Sequence, residues 1–75
     1  MKSEKYRGFT IKFSPVSPLY VEYQIFKGSH ELFGLEGAES SKEDALAQAK
    51  EVIDIGISKP WHFGKNTMKF FDTMR

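Results

Sequence analysis

The chain contains no cysteine. That removes a disulfide framework, a thiolate zinc site and a cysteine nucleophile at once, and it suits a reducing compartment. Histidine is scarce: His30 and His62 stand alone, with no HExxH or paired spacing, so neither a metal site nor another cofactor is expected. No run approaches the ~18 apolar residues of a membrane-spanning helix, and Met1-Lys2-Ser3-Glu4-Lys5 is not followed by the apolar stretch of a secretory signal. The expectation is a soluble, cytoplasmic protein with no membrane partner. Length sets a further bound. A chain of 75 residues makes one domain that buries roughly 60% of its unfolded surface, which leaves no room for a deep two-walled active site.

What is present reads as a folded protein: 40% of residues are hydrophobic and 28% charged, a composition that excludes intrinsic disorder. In YRGFTIKF, Phe9, Ile11 and Phe13 alternate with Thr10 and Lys12, the period of two that a half-buried strand requires. Pro15 and Pro18 then stop ladder pairing between about 14 and 18. Leu19, Val21, Tyr23 and Ile25 alternate with Tyr20, Glu22, Gln24 and Phe26 in a second strand, Lys27-Gly28-Ser29-His30 turns, and a third strand is expected over 31–35. Ser40-Ser41-Lys42-Glu43 matches a capping box, with Ser40 as the cap and Glu43 reaching back to it. Ala45, Leu46, Ala49, Val52, Ile53 and Gly56 form one helical stripe, with Gly56 expected to end the helix.

The fold class that follows is α+β: a three-stranded antiparallel meander in the order β-β-β-α, covered on one face by one amphipathic helix. The expected core face carries Phe9, Ile11, Val21, Tyr23, Ile25 and Phe33. Residues 1–58 form this domain, and residues 59–75 an aromatic, basic segment that either packs on it or serves as an interface. Within that segment Pro60 prevents helix continuation, Gly64 gives a bend, and Asn66 or Thr67 can cap a short second helix bearing Met68, Phe71 and Met74. Charge is uneven. Lys2, Lys5, Arg7 and Lys12 make the start basic, Lys59, Lys65, Lys69 and Arg75 the end, and the middle is acidic.

No catalytic constellation emerges. Ser29-His30-Glu31 are consecutive residues of a turn, which point apart where a triad needs convergence. Gly34-Leu35-Glu36-Gly37 reads as a bend from sheet to helix, and Pro15-Val16-Ser17-Pro18 as a strand connection, although a polyproline ligand or a Ser-Pro phosphosite fits the same letters. An enzyme is therefore not expected, and no small-molecule substrate is evident. The surplus of large apolar side chains points to a protein-interaction module that binds a protein partner or itself, possible dimer included. The candidate surface is Tyr20 and Phe26 on the sheet's exposed face, with Trp61, His62, Phe63, Lys65, Lys69 and Phe70 in the tail. The alternative is RNA or DNA, with lysines on phosphates and aromatics stacked on unpaired bases.

Two family likenesses can be traced. PLYVEYQIFKGSH followed by SSKEDALAQAK resembles the Pro-x-Tyr strand, the turn and the helix start of double-stranded-RNA-binding domains, which implies RNA recognition. That family's first helix has no counterpart here, and its phosphate-binding lysine pair would fall on Lys42 and Glu43. The β-β-β-α order with Asp-Ala-Leu-x-x-Ala-Lys opening the helix resembles the small HicB-type antitoxin modules, without their Asp-x-Pro-Gly-Cys turn. Such helix openings recur in unrelated small α+β proteins, so membership of neither family is assigned.

Overall fold

The structure, a computed structural model, describes residues 3–72. The chain runs β1 (Ser3–Tyr6), β2 (Phe9–Ser17), β3 (Tyr20–Lys27), β4 (His30–Glu31), β5 (Gly37–Glu39), α1 (Lys42–Ser58) and α2 (Lys65–Asp72). All strands pair antiparallel in one sheet of order β1-β2-β3-β4, with β5 pairing β3 at the opposite end of the same edge. This is the expected α+β meander with an amphipathic helix across one face. It has five strands, not three.

Both added strands have local causes. Arg7 and Gly8 take positive φ of 52° and 89°, which is what a two-residue hairpin turn demands of its centre, and they fold Ser3–Tyr6 back onto β2 with Tyr6 opposite Phe9. The third strand, expected over 31–35, keeps only His30 and Glu31 in the ladder. Gly34 turns the chain at φ 90°, its N–H donating to Glu36 Oε1 at 2.9 Å, and Gly37–Glu39 then return to Val21–Tyr23 of β3. Phe33 consequently lies outside the core at 76% exposure, while Leu32 and Leu35 on either side of the turn are buried. Pairing of β2 also continues past Pro15. The register shifts between Pro15 and Ser17, leaving Val16 as the extra residue of a bulge, one of the few places a strand tolerates proline.

The core lies on one side of the sheet. Phe9, Ile11 and Phe13 of β2 stand beside Ile25 and Tyr23 of β3, and Ala45, Ala49 and Ile53 of α1 cover them, with Leu32, Leu35 and Phe71 closing the ends. Two alanines in the contact stripe let α1 approach a row of bulky side chains closely. Leu46 and Val52 sit at the margin, half-buried. Among the described residues no buried side-chain polar atom lacks a hydrogen-bond partner.

The ends of α1 differ from the sequence expectation by a residue or two. Ser41, not Ser40, is the cap: its hydroxyl accepts from Asp44 N–H at 3.1 Å, while Ser40 Oγ donates to the Asp44 carboxylate at 3.2 Å. Glu43 and Asp44 occupy the first turn, where the helix dipole favours negative charge. Gly56 does not end the helix, which continues to Ser58 and stops short of the buried Pro60. Its role is steric: a Cβ at position 56 would lie 2.4 Å from the Phe71 ring. The short second helix exists but starts at Lys65, so Thr67 is inside it, buried, and donates to the Phe63 and Gly64 carbonyls at 3.2 and 3.3 Å. Met74, placed on that helix by the sequence, lies outside the described residues.

Two substitutions test this packing. Phe71→Ala should cost about 3–5 kcal/mol, most of the ~5 kcal/mol that so small a domain possesses. Gly56→Ala should destabilise by about 1–3 kcal/mol through overpacking, opposite in sign to the gain of up to ~1 kcal/mol that the same change brings in an open helix. Urea unfolding followed by circular dichroism measures both, and a Gly56→Ala chain more stable than the parent would refute the notch.

Candidate interaction surface

The eight candidate residues do not form one surface. Tyr20, 42% exposed, opens β3 beside the β2–β3 turn at one end of the sheet. Phe26 lies on the face that no helix covers, half-buried, with Lys12 Nζ 4.4 Å from its ring centroid. Around it the register brings Lys5, Thr10 and Glu31 into one row and Lys12 and Gln24 into the next. This face is a polar lattice with one shielded ring, as expected of an antiparallel sheet with a single core side.

The other six residues fall at the far end, around the α1–α2 corner, and divide by depth. Phe63 and Phe70 are partly buried against the core, whose Phe71 is fully enclosed, 5.1 Å from Phe9 and 6.1 Å from Phe63 between ring centroids. His62 stands edge-on to Phe63 at 4.8 Å, and Lys69 reaches over Phe70 at 5.3 Å. Trp61 is 61% exposed, and Lys65 is exposed on the first turn of α2. The tail thus completes the protein's own core with Pro60 and Phe71 and turns Trp61, Lys65 and Lys69 outward.

Residues that sequence reasoning placed in the second strand or its connection, and not on the candidate surface, provide the missing part of the exposed surface. Leu19 is 78% and Val16 49% exposed, next to Tyr20. From Ser14 to Val21 the chain carries no charge, so the hairpin tip is an apolar knob. Pro15 and Pro18 stiffen it, and Leu19 N–H donates to Ser17 Oγ at 3.0 Å. The signal was available: a proline on either side of Val16-Ser17 marks a turn, and Leu19 belongs to that turn rather than to the alternation after it. Phe33 likewise precedes Gly34, a turn residue, and becomes one wall of an open groove of about 390 Å³ whose other wall is α2, through Asn66, Lys69 and Phe70.

Charge is sorted between these ends. Glu22, Glu36, Glu39, Glu43 and Asp44 gather near the knob, with Lys42 among them and Lys12 diagonally across the ladder from Glu22, because β5 pairs the start of β3 and α1 begins just after it. Lys59, Lys65 and Lys69 stand at the other end against Asp72. Near that end Asp54 of α1 ties the first hairpin to the helix. Its carboxylate accepts from Tyr6 Oη at 2.9 and 3.0 Å and from Arg7 Nη1 at 2.8 Å. The Arg7 guanidinium, against a smaller opposing effect of desolvation, holds Asp54 below the usual aspartate range, and Tyr6's own hydrogen bond to the Asp54 carboxylate raises its phenol. A carboxylate so engaged is a fixed acceptor, not a general base. The open groove of about 610 Å³ beside it also touches Lys50, Lys59 and His62. Among the described residues no cluster of three His, Cys, Asp or Glu side chains could hold a metal, and no helix is long and apolar enough to cross a membrane.

Comparison with protein-family models, with curated proteins and with solved structures finds no match to this chain. Neither family likeness traced in the sequence gains support from them.

The Asp54 clamp predicts a defined pH profile. Because the folded pKa of Asp54 lies below its unfolded value, its contribution is present above the unfolded value and fades as pH falls through the folded one. Because that of Tyr6 is raised, its share fades as pH rises above ~10. Asp54→Asn should therefore lower the melting temperature by a few degrees at most near neutral pH, as befits an exposed pair, and the gap to the parent should close in acid. A gap of constant size from pH 7 to 2 would exclude the clamp.

Proposed function

We propose that this chain is a small, non-enzymatic protein of the cytoplasm that acts by binding another protein, with the β2–β3 hairpin tip as its principal contact. The observation that supports this most directly is the group Val16, Leu19 and Tyr20 standing in water on an uncharged, proline-stiffened turn while the core on the α1 side is closed without them. Exposed apolar side chains scattered singly need no explanation, but three within five residues of one turn do. A rigid tip loses little freedom on docking, which lowers one of the costs that binding must offset. Placement in the cytoplasm draws its support from the absence of cysteine.

The test is to place a photoreactive amino acid at Leu19 and, as control, at Glu51 on the outward side of α1, and to irradiate intact cells. Position 19 should give a discrete adduct of higher mass that position 51 does not. Equal, diffuse labelling from both positions would overturn the reading.

A second reading is favoured by the exposed Trp61 between Lys59 and Lys65: stacking on unpaired bases with lysines on phosphates. It predicts retention of single-stranded RNA or DNA at low ionic strength, with affinity falling steeply as salt rises and lost in Lys65→Ala/Lys69→Ala. A chain that retains neither nucleic acid at low salt eliminates it.

A further inference from the structure

Resting on the protein-binding reading, we infer that the partner is a second copy of this chain, taken up head to tail: the Leu19–Tyr20 knob of one copy seats in the groove between Phe33 and α2 of the next. The two ends are complementary in shape, in polarity and in charge. The knob is convex and presents Leu19 at 78% and Tyr20 at 42% exposure. The receiving groove is concave, about 390 Å³, and walled by Phe33 at 76% exposure and the half-buried Phe70. That volume lies in the range of roughly 300–1,000 Å³ typical of sites that enclose small apolar groups. Lys69 and Glu31 both line the groove, and Lys65 lies one turn of α2 away from it. Carboxylates surround the base of the knob, with Glu22 on β3 and Glu39 opposite Val21.

Charge also selects the geometry. Knob against knob would crowd two acidic collars together and is repulsive, whereas the groove carries both signs, with Lys69 beside Glu31 in its lining. The head-to-tail contact brings the acidic collar against Lys65 and Lys69. Such a contact is heterologous: each copy keeps one free knob and one free groove, and the assembly closes into a ring or continues as a chain according to the rotation between neighbours. The contact is small and its rim is exposed. It belongs with transient interfaces, concentration-dependent and weakened by salt.

Full-length chains carrying one blocked end each provide the test. Leu19→Asn removes the apolar tip of the knob and leaves the groove intact, while Lys69→Glu places an anion in the groove and leaves the knob intact. Both sites are exposed, and circular dichroism verifies that each variant folds. Light scattering of the parent up to about 1 mM, the regime of weak association, should show mass rising with concentration and falling with added salt. Each variant alone should associate at least tenfold more weakly. An equimolar mixture of the two should recover association but stop at two chains, because the pair offers only a blocked knob and a blocked groove. The inference is overturned by a parent that stays monomeric, by variants that both still associate, by one variant that associates like the parent, or by a mixture that stays monomeric. If the parent is monomeric while position 19 still cross-links a different polypeptide, self-recognition fails and the protein-binding reading stands. If position 19 gives no specific adduct either, both fall.

Discussion

Phe71 lies in the notch that Gly56 leaves in α1 and meets Phe9 of β2 on its other side, and the rest of the architecture depends on this contact. It joins the last helix, the main helix and the first long strand through one ring. A sheet with one covered face and a single 17-residue helix cannot enclose the strand ends where Phe9 and Leu32 sit. The second helix does so, and it can approach only because position 56 has no side chain. The glycine therefore sacrifices helix propensity for depth, an exchange that makes sense only where a large ring occupies the space.

Closing the core on one side determines what the remaining surfaces can be. The uncovered sheet face must be wet, and its lysines, glutamates and Thr10 meet that demand, with Phe26 kept under Lys12. Apolar groups left over are pushed to the ends, where turns interrupt the ladder: the hairpin tip at one, the Phe33 turn and Trp61 at the other. The polarity of α1 reinforces the sorting. Its N-terminus attracts Glu43 and Asp44 toward the tip end, and the lysine-bearing tail follows its C-terminus.

Much of this was legible in the sequence because it rests on local periodicity. The alternation of Phe9, Ile11 and Phe13 and the spacing of Ala45, Ala49 and Ile53 declare the two layers directly. Errors occurred where one residue type answers to two causes. Glycine at position 56 reads as a helix end until the ring that fills its place is known, and that ring comes from fifteen residues further on. Phe33 and Leu19 continue a period of two on paper, yet each adjoins a turn residue, Gly34 or Pro18, and lies outside the ladder. β1 was invisible for another reason. Ser3-Glu4-Lys5-Tyr6 has only one apolar side chain to bury, and its pairing comes from the backbone and the Arg7-Gly8 turn. The candidate surface was read as one patch because sequence proximity says nothing about depth: of Trp61, Phe63, Phe70 and Phe71, neighbours in one stretch, only the first points to water.

The same charged strand determines how the sheet meets others of its kind. A strand at the border of a ladder is a template for lateral growth, and the hazard is greatest when it can pair symmetrically with its copy. In antiparallel pairing of β1 with itself, a two-fold axis through the middle of the strand would set Glu4 against Glu4 or Lys5 against Lys5, like charges directly across the ladder. The border that looks least structured in composition is thus the one protected against edge-to-edge aggregation, and a chain so guarded can be concentrated without its sheets fusing.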